Sequence, residues 1–238
     1  LYKYPQAAFP YKRLVDENKH RSKKDPEFEL IDTGIFNEQR YFDVRVEYAK
    51  DAPDDVLIRI TIENRGPDAA DIDVLPTLWF RNTWNWDRSK RPVMHAIDGG
   101  TIVAHQDAMG ERWLYCAPVS GKEAPDFLFT ENETNYERVF NAPSPSPYTK
   151  DAFHAALIDG EHHRVNPERT GTKAAAHYHL RVASGASVVL KLRIADREPL
   201  RLSHPFDQFE AIFTRRIDEA EAYYATVQPP HLNDDERR

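Results

Sequence analysis

The chain carries a single cysteine, Cys116, which excludes an internal disulfide and a cage of thiolate metal ligands. A reducing compartment, the cytoplasm, is the expectation that follows. No apolar run approaches the roughly 18–20 residues that a membrane-crossing helix needs, and the opening Leu1-Tyr2-Lys3-Tyr4-Pro5 does not read as a secretory signal. A soluble chain without a membrane partner is expected. Positive charge is in deficit too: 32 Lys and Arg stand against 39 Asp and Glu, so no general field gathers phosphates and no nucleic-acid partner is expected. Glycine is sparse, and no P-loop, dinucleotide fingerprint, nucleophile elbow, HExxH or EF-hand pattern occurs. No cofactor is expected.

What is present is apolar and aromatic surface. Hydrophobic residues are 40% of the 238, with 12 Phe, 11 Tyr and 4 Trp, too much to leave the chain disordered. The sequence starts without Met inside an aromatic segment and ends in the charged run Asp234-Asp235-Glu236-Arg237-Arg238, which reads as a piece of a longer protein.

Period-2 alternation dominates. In Phe42-Asp43-Val44-Arg45-Val46-Glu47-Tyr48 the apolar residues take the even positions, and Val56, Ile58, Ile60 and Ile62 repeat the pattern after a turn-rich link, which predicts an antiparallel hairpin. A further strand is expected over Ile72 to Phe80, at an edge or bulge because Pro76 cannot donate to a ladder. Others are expected at Thr101–His105, Trp113–Ala117, Phe127–Thr130, Ala176–Val182 and Ser187–Ile194. The last two enclose Ala183-Ser184-Gly185-Ala186 and read as a hairpin in one pleated layer. Many short strands separated by turns predict a mainly β, antiparallel sandwich. One long amphipathic helix follows from Pro205 to Val227, with Ser203 as its cap, Pro205 in its first turn and Pro229-Pro230 as its stop. Pattern alone fits either a strut between domains or a helix covering the end of the sandwich.

Three of the four tryptophans lie within eight residues, in Trp79-Phe80-Arg81-Asn82-Thr83-Trp84-Asn85-Trp86. Flat rings interleaved with amide and guanidinium groups suit a sugar, whose C–H faces stack on indole while its hydroxyls bond to the polar groups. Trp79, Arg81, Asn82, Trp84 and Trp86 are therefore the candidate substrate-binding residues, with Trp84 and Trp86 expected to share an exposed face. Burial of the same tryptophans as core or interdomain packing is the open alternative. His177-Tyr178-His179 places two imidazoles on one strand face, but no third ligand is placed, so no metal site is expected. Asp71/Asp73 and Glu131/Glu133 lie two apart on expected strands, each pair sharing a face. Solvated strand surface is the reading for both, and no catalytic residue is assigned.

The segments Tyr2-Lys3-Tyr4-Pro5-Gln6-Ala7-Ala8-Phe9-Pro10-Tyr11, Phe28-Glu29-Leu30-Ile31-Asp32-Thr33-Gly34, Tyr41-Phe42-Asp43-Val44 and Leu75-Pro76-Thr77-Leu78-Trp79-Phe80-Arg81-Asn82-Thr83-Trp84 resemble the glucosidase-like proteins related to glycoside hydrolase family 63, the mannosyl-oligosaccharide glucosidases. The resemblance implies a super-β-sandwich of the galactose-mutarotase-like type, then a linker helix, then an α/α barrel that holds both catalytic carboxylates and inverts an α-glucosidic bond. It places the sandwich at residues 1–202, the linker at 203–228 and the start of the barrel at 229–238. The partners it implies are an oligosaccharide substrate, met through the full-length enzyme, and the barrel of the same polypeptide. A stand-alone carbohydrate-binding module and a purely structural domain are the rival readings.

Overall fold

The fold is described from a computed structural model covering residues 1–97, 100–119, 123–229 and 231–237. Among these residues the elements are β1 (Tyr2–Pro5), α1 (Tyr11–Lys19), β2 (Tyr41–Ala52), β3 (Asp55–Asn64), β4 (Ala70–Val74), β5 (Thr77–Trp79), α2 (Trp84–Asp87), β6 (Val93–Ala96), β7 (Thr101–Gln106), β8 (Gly110–Cys116), β9 (Asp126–Thr130), α3 (Tyr136–Phe140), α4 (Ala152–Ile158), β10 (Thr170–Gly171), β11 (Lys173–Val182), β12 (Ser187–Ala195) and α5 (Phe209–Val227). Eight strands form one antiparallel sheet in the order β1-β2-β3-β12-β8-β7-β6-β10, and β4, β5, β9 and β11 form the second. The chain is thus mainly β, an antiparallel sandwich followed by a long helix, as the alternation predicts.

The core lies between the sheets, where Phe42, Ile62, Met94, Ile102, Phe129, Leu190 and Leu192 are almost wholly buried. The β2–β3 hairpin forms as expected, with Phe42 opposite Asn64 and Tyr48 opposite Ile58. Its even-numbered face is buried only in part, since Val46 and Tyr48 are 40% and 69% exposed. The eight-stranded sheet is wider than its partner, so the β1–β2 edge runs beyond the cover that alternation presumes.

The expected strand over Ile72 to Phe80 is one course broken in two. Tyr178 opposes Val74 and Ala175 opposes Thr77, so β4 and β5 keep a single antiparallel register along β11. Pro76 sits in the gap, where its carbonyl accepts from the Ala176 N–H while its nitrogen has nothing to donate. The course pairs on one side only, the edge position that Pro76 requires.

One expectation is overturned. β11 and β12 do not form a hairpin, because β11 pairs with β4, β5 and β9 while β12 pairs with β3 and β8. Residues 183–186 carry the chain across the core, so Tyr178, Leu180 and Val182 face Leu190 and Leu192 from the opposite layer. Alternation tells which face of a strand is buried but not which sheet it joins.

Asn64 holds this crossing to the neighbouring one at residues 64–69. Fully buried, it donates from Nδ2 to the carbonyls of Asp68 (2.8 Å) and Val182 (2.9 Å), and its Oδ1 accepts from the Gly66 N–H and from Gln6 Nε2. All four valences of the amide are used. Asn64→Ala is expected to lower the unfolding free energy by roughly 2–3 kcal/mol, because it orphans buried donors and acceptors; urea denaturation measures it.

The helix also departs from expectation. α5 begins at Phe209 after Gln208, not at Pro205 under a Ser203 cap. The preceding residues fold as turns because the Pro205 carbonyl accepts from Arg193 Nη1 at 2.9 Å, and apolar periodicity does not separate such a turn from a first helical turn. Phe209, Ile212 and Phe213 pack on Ala49 and Leu57, on the outer face of the large sheet. The second half of α5 leaves the sheet, with Tyr223, Tyr224 and Val227 more than half exposed. Of the expected stop, Pro229 follows the helix, while Pro230 and the terminal Arg238 lie outside the described residues.

Candidate functional site

The five candidate residues divide into an inner and an outer group. The chain leaves the small sheet at β5 and enters the large sheet at β6, and residues 80–92 bridge the two at one end of the sandwich. Within this bridge α2 is a single turn closed by Arg88 in the left-handed region, φ 55°. A turn of helix places neighbours two apart on different sides. Trp84 and Trp86 therefore do not share a face, contrary to the strand-like reading of their spacing: Trp84 is 9% exposed and Trp86 is 73% exposed.

The inner group is tied to the segment that follows β9. Trp84 Nε1 donates to Glu133 Oε1 at 3.0 Å, and Asn85 Nδ2 donates to Glu133 Oε2 at 2.8 Å. Asn82 Nδ2 donates to the Asn132 carbonyl, and Asn132 Nδ2 returns a bond to the Phe80 carbonyl. Arg91 stands over the Trp84 ring and reaches Glu131 Oε2 at 2.7 Å and Glu133 Oε1 at 3.9 Å. Glu131 Oε2 also accepts from the backbone N–H and hydroxyl of Thr172. Glu131 and Glu133 thus come together past the end of β9 rather than on a strand face. Their bonds tie the bridge to the segment after β9, so the pair clamps the loop. Gly171 lets the backbones meet beside this clamp, since a Cβ there would sit 2.3 Å from the Thr130 carbonyl oxygen.

The outer group is Trp79, Arg81 and Trp86. Trp79 closes β5 and is 55% exposed, and the Arg81 guanidinium stands 5.9 Å from the Trp86 ring centroid. Trp79 and Arg81 also line a cavity of about 290 Å³ between β5 and the β6–β7–β8 part of the large sheet. Its other walls, among them Met94, Ala104 and Arg112, come from positions far apart in the chain, and no local pattern announces them. The arrangement presents two indole faces and a guanidinium outward at this end of the sandwich, beside a loop whose backbone is held from within.

The two histidines of β11 share a carboxylate, His177 Nε2 at 2.7 Å and His179 Nδ1 at 2.9 Å from Asp73 Oδ1. Among the described residues no group of three or more His, Cys, Asp or Glu side chains is placed to hold a metal ion. Burial opposes ionisation of Asp73, but the bonds from His177 and His179 outweigh it and hold the carboxyl below its usual value. Asp73 binds its proton more readily unfolded than folded, so its contribution to stability is complete above the unfolded value near 3.9 and is lost as pH falls towards the folded one. The stability difference between the parent chain and Asp73→Asn is expected to shrink as pH falls from about 5 to 3, measured by urea unfolding at each pH. Cys116 is buried, and burial pushes its thiol up, away from thiolate chemistry at neutral pH.

Among the described residues no helix is long and apolar enough to cross a membrane. No protein-family model matches the chain. Among curated proteins it is similar to the uncharacterized protein YMR196W of Saccharomyces cerevisiae (strain ATCC 204508 / S288c), at 34% identity over an alignment 277 positions long. The alignment takes in 100% of this chain and 26% of the yeast protein, so the chain spans about a quarter of that relative's length.

Proposed function

We propose that the chain is the non-catalytic β-sandwich of an α-glucosidase-like glycoside hydrolase of the family 63 type, an inverting enzyme of the cytoplasm. In this reading residues 1–202 are the sandwich, 203–228 the linker and 229–238 the approach to an α/α barrel that carries both catalytic carboxylates. The sandwich packs on the barrel and shapes the rim around its oligosaccharide substrate. The observation that carries the reading is the outer group: Trp79 at the end of β5 stands exposed beside Arg81 and Trp86, which stand exposed on the bridge that Glu131 and Glu133 clamp. Two further features support it. The motif segments resemble that family, and a relative about four times as long leaves room for a large second domain. The half-exposed second part of α5 suits a strut that leads to such a domain.

The full-length protein and the 238-residue chain are to be assayed side by side on α-linked gluco-oligosaccharides. Hydrolysis by the full-length protein alone is expected. Hydrolysis by the isolated chain, or none by either, overturns the reading. A carbohydrate-binding module is the alternative that the exposed Trp79 and Trp86 also favour, and saturable binding of gluco-oligosaccharides by the isolated chain supports it instead.

A further inference from the structure

We infer that the cavity at the bridged end of the sandwich is a binding site for a small amphipathic carboxylate, one ring or short alkyl chain with an anionic end. The inference stands on the cavity itself and does not rest on the glucosidase reading, although the two share Trp79 and Arg81.

The floor is apolar. Met94 on β6 lies opposite Ala104 on β7. Met94 and Ala104 are buried, and Leu78 and Ile194 complete the inner wall. Trp79 and Met109, each more than half exposed, stand at the mouth. At about 290 Å³ the space is at the lower end of the range for small-molecule sites and takes one ring rather than an oligosaccharide.

The rim is cationic. Arg112 projects from the core-facing side of β8, where an unbroken apolar pattern would put an aliphatic residue, and its guanidinium turns out to Asp54 at 3.1 Å. Arg81 lines the same cavity and, among the described residues, has no carboxylate partner; its guanidinium stands against the Trp86 ring. The bridge from Phe80 to Pro92 holds four cations, Arg81, Arg88, Lys90 and Arg91, against one carboxylate, Asp87, in a chain of net charge −7. Lys90 is paired with Asp107 and Arg91 with Glu131. An apolar well with Arg81, a cation that has no carboxylate partner among the described residues, in its wall matches a ligand with the opposite layout, and the planar fork of Arg suits a carboxylate.

The chain itself supplies the reporters. It has two methionines, Met94 at the floor and Met109 at the mouth, and both line the cavity. With methionine methyl groups labelled with ¹³C, titration of the 238-residue chain with 4-phenylbutyrate is expected to shift both signals saturably. Arg81→Gln is expected to weaken binding of the carboxylate at least tenfold and to leave binding of the neutral 4-phenylbutanamide unchanged. No saturable shift up to about 10 mM ligand, or an Arg81→Gln variant that binds the carboxylate as the parent does, overturns the site. Equal binding of the acid and the amide by the parent overturns the anion preference. Binding of phenylbutyrate beside an inactive full-length protein refutes the glucosidase reading alone, and the reverse outcome refutes this one alone.

Discussion

Replacing Asp55 by alanine is expected to lower the free energy of unfolding by about 3–5 kcal/mol, the cost of leaving one partner of a buried ion pair uncompensated. Asp55 is 1% exposed and Arg193 is 3% exposed. Arg193 grips Asp55 with two bonds, Nε to Oδ1 at 2.7 Å and Nη2 to Oδ2 at 2.6 Å, and Arg197 reaches the same carboxylate. Asp51 joins from the end of β2, bonding Arg193 at 2.9 Å and Arg215 of α5 at 3.1 Å. The network ties β3, β12 and the start of α5 together at one corner, and Arg193 also fixes the Pro205 carbonyl ahead of the helix. Asp55→Ala frees that corner, so amides from Gln208 to Phe213 are expected to exchange with deuterium faster than those of β3. Asp51 is 29% exposed, and Asp51→Ala is expected to cost only about 1 kcal/mol. The paired change Asp55→Leu with Arg193→Met is expected to recover most of the loss, because it removes both charges together. Urea denaturation of the three variants checks the series; a double variant no better than Asp55→Ala refutes the account.

The tryptophans of the bridge should behave in opposite ways. Trp84→Ala is expected to cost about 3–5 kcal/mol, since it empties a buried indole site and leaves Glu133 without one of its donors. Trp86→Ala, at 73% exposure, is expected to change stability by no more than about 0.5 kcal/mol. On the proposed function the rank reverses for substrate handling. Trp86→Ala and Trp79→Ala in the full-length protein should alter substrate preference while melting temperature holds. A Trp86→Ala protein that loses several kcal/mol would show that this ring is packing and not surface. Arg91→Met tests the clamp separately, since it releases Glu131 and Glu133 without touching either exposed tryptophan.

Much of the sheet structure was legible because a strand with one wet face writes its burial in every second residue. β7, β8, β9, β11 and β12 fall within a few residues of their expected limits. The short β1, β6 and β10 carry no legible period, since four residues or fewer are too few for one to declare itself; β1 and β10 form at the two edges of the large sheet, and β6 forms between β7 and β10. In the bridge, aromatic crowding marked the right stretch but misread its geometry. Trp84 and Trp86 are two apart, which means one face on a strand and different faces on a helical turn. Glu131 and Glu133 were noticed as a pair, yet their partners Trp84, Asn85 and Arg91 lie some forty residues away, and no local rule connects such distances.

Composition and periodicity by themselves determined the class of fold: antiparallel strands, then a long helix, with the tryptophans crowded into one stretch. Those properties depend on contacts between near neighbours in the chain, and such contacts repeat at 2 or 3.6 residues. The tertiary structure alone decided which sheet each strand joins, that β11 and β12 face one another across the core, and that one tryptophan is buried on a carboxylate while its neighbour stands in water. It also decided that Arg81 and Arg112 line one cavity. Each of these follows from side chains tens of residues apart competing for the same buried space, and that competition leaves no period in the sequence.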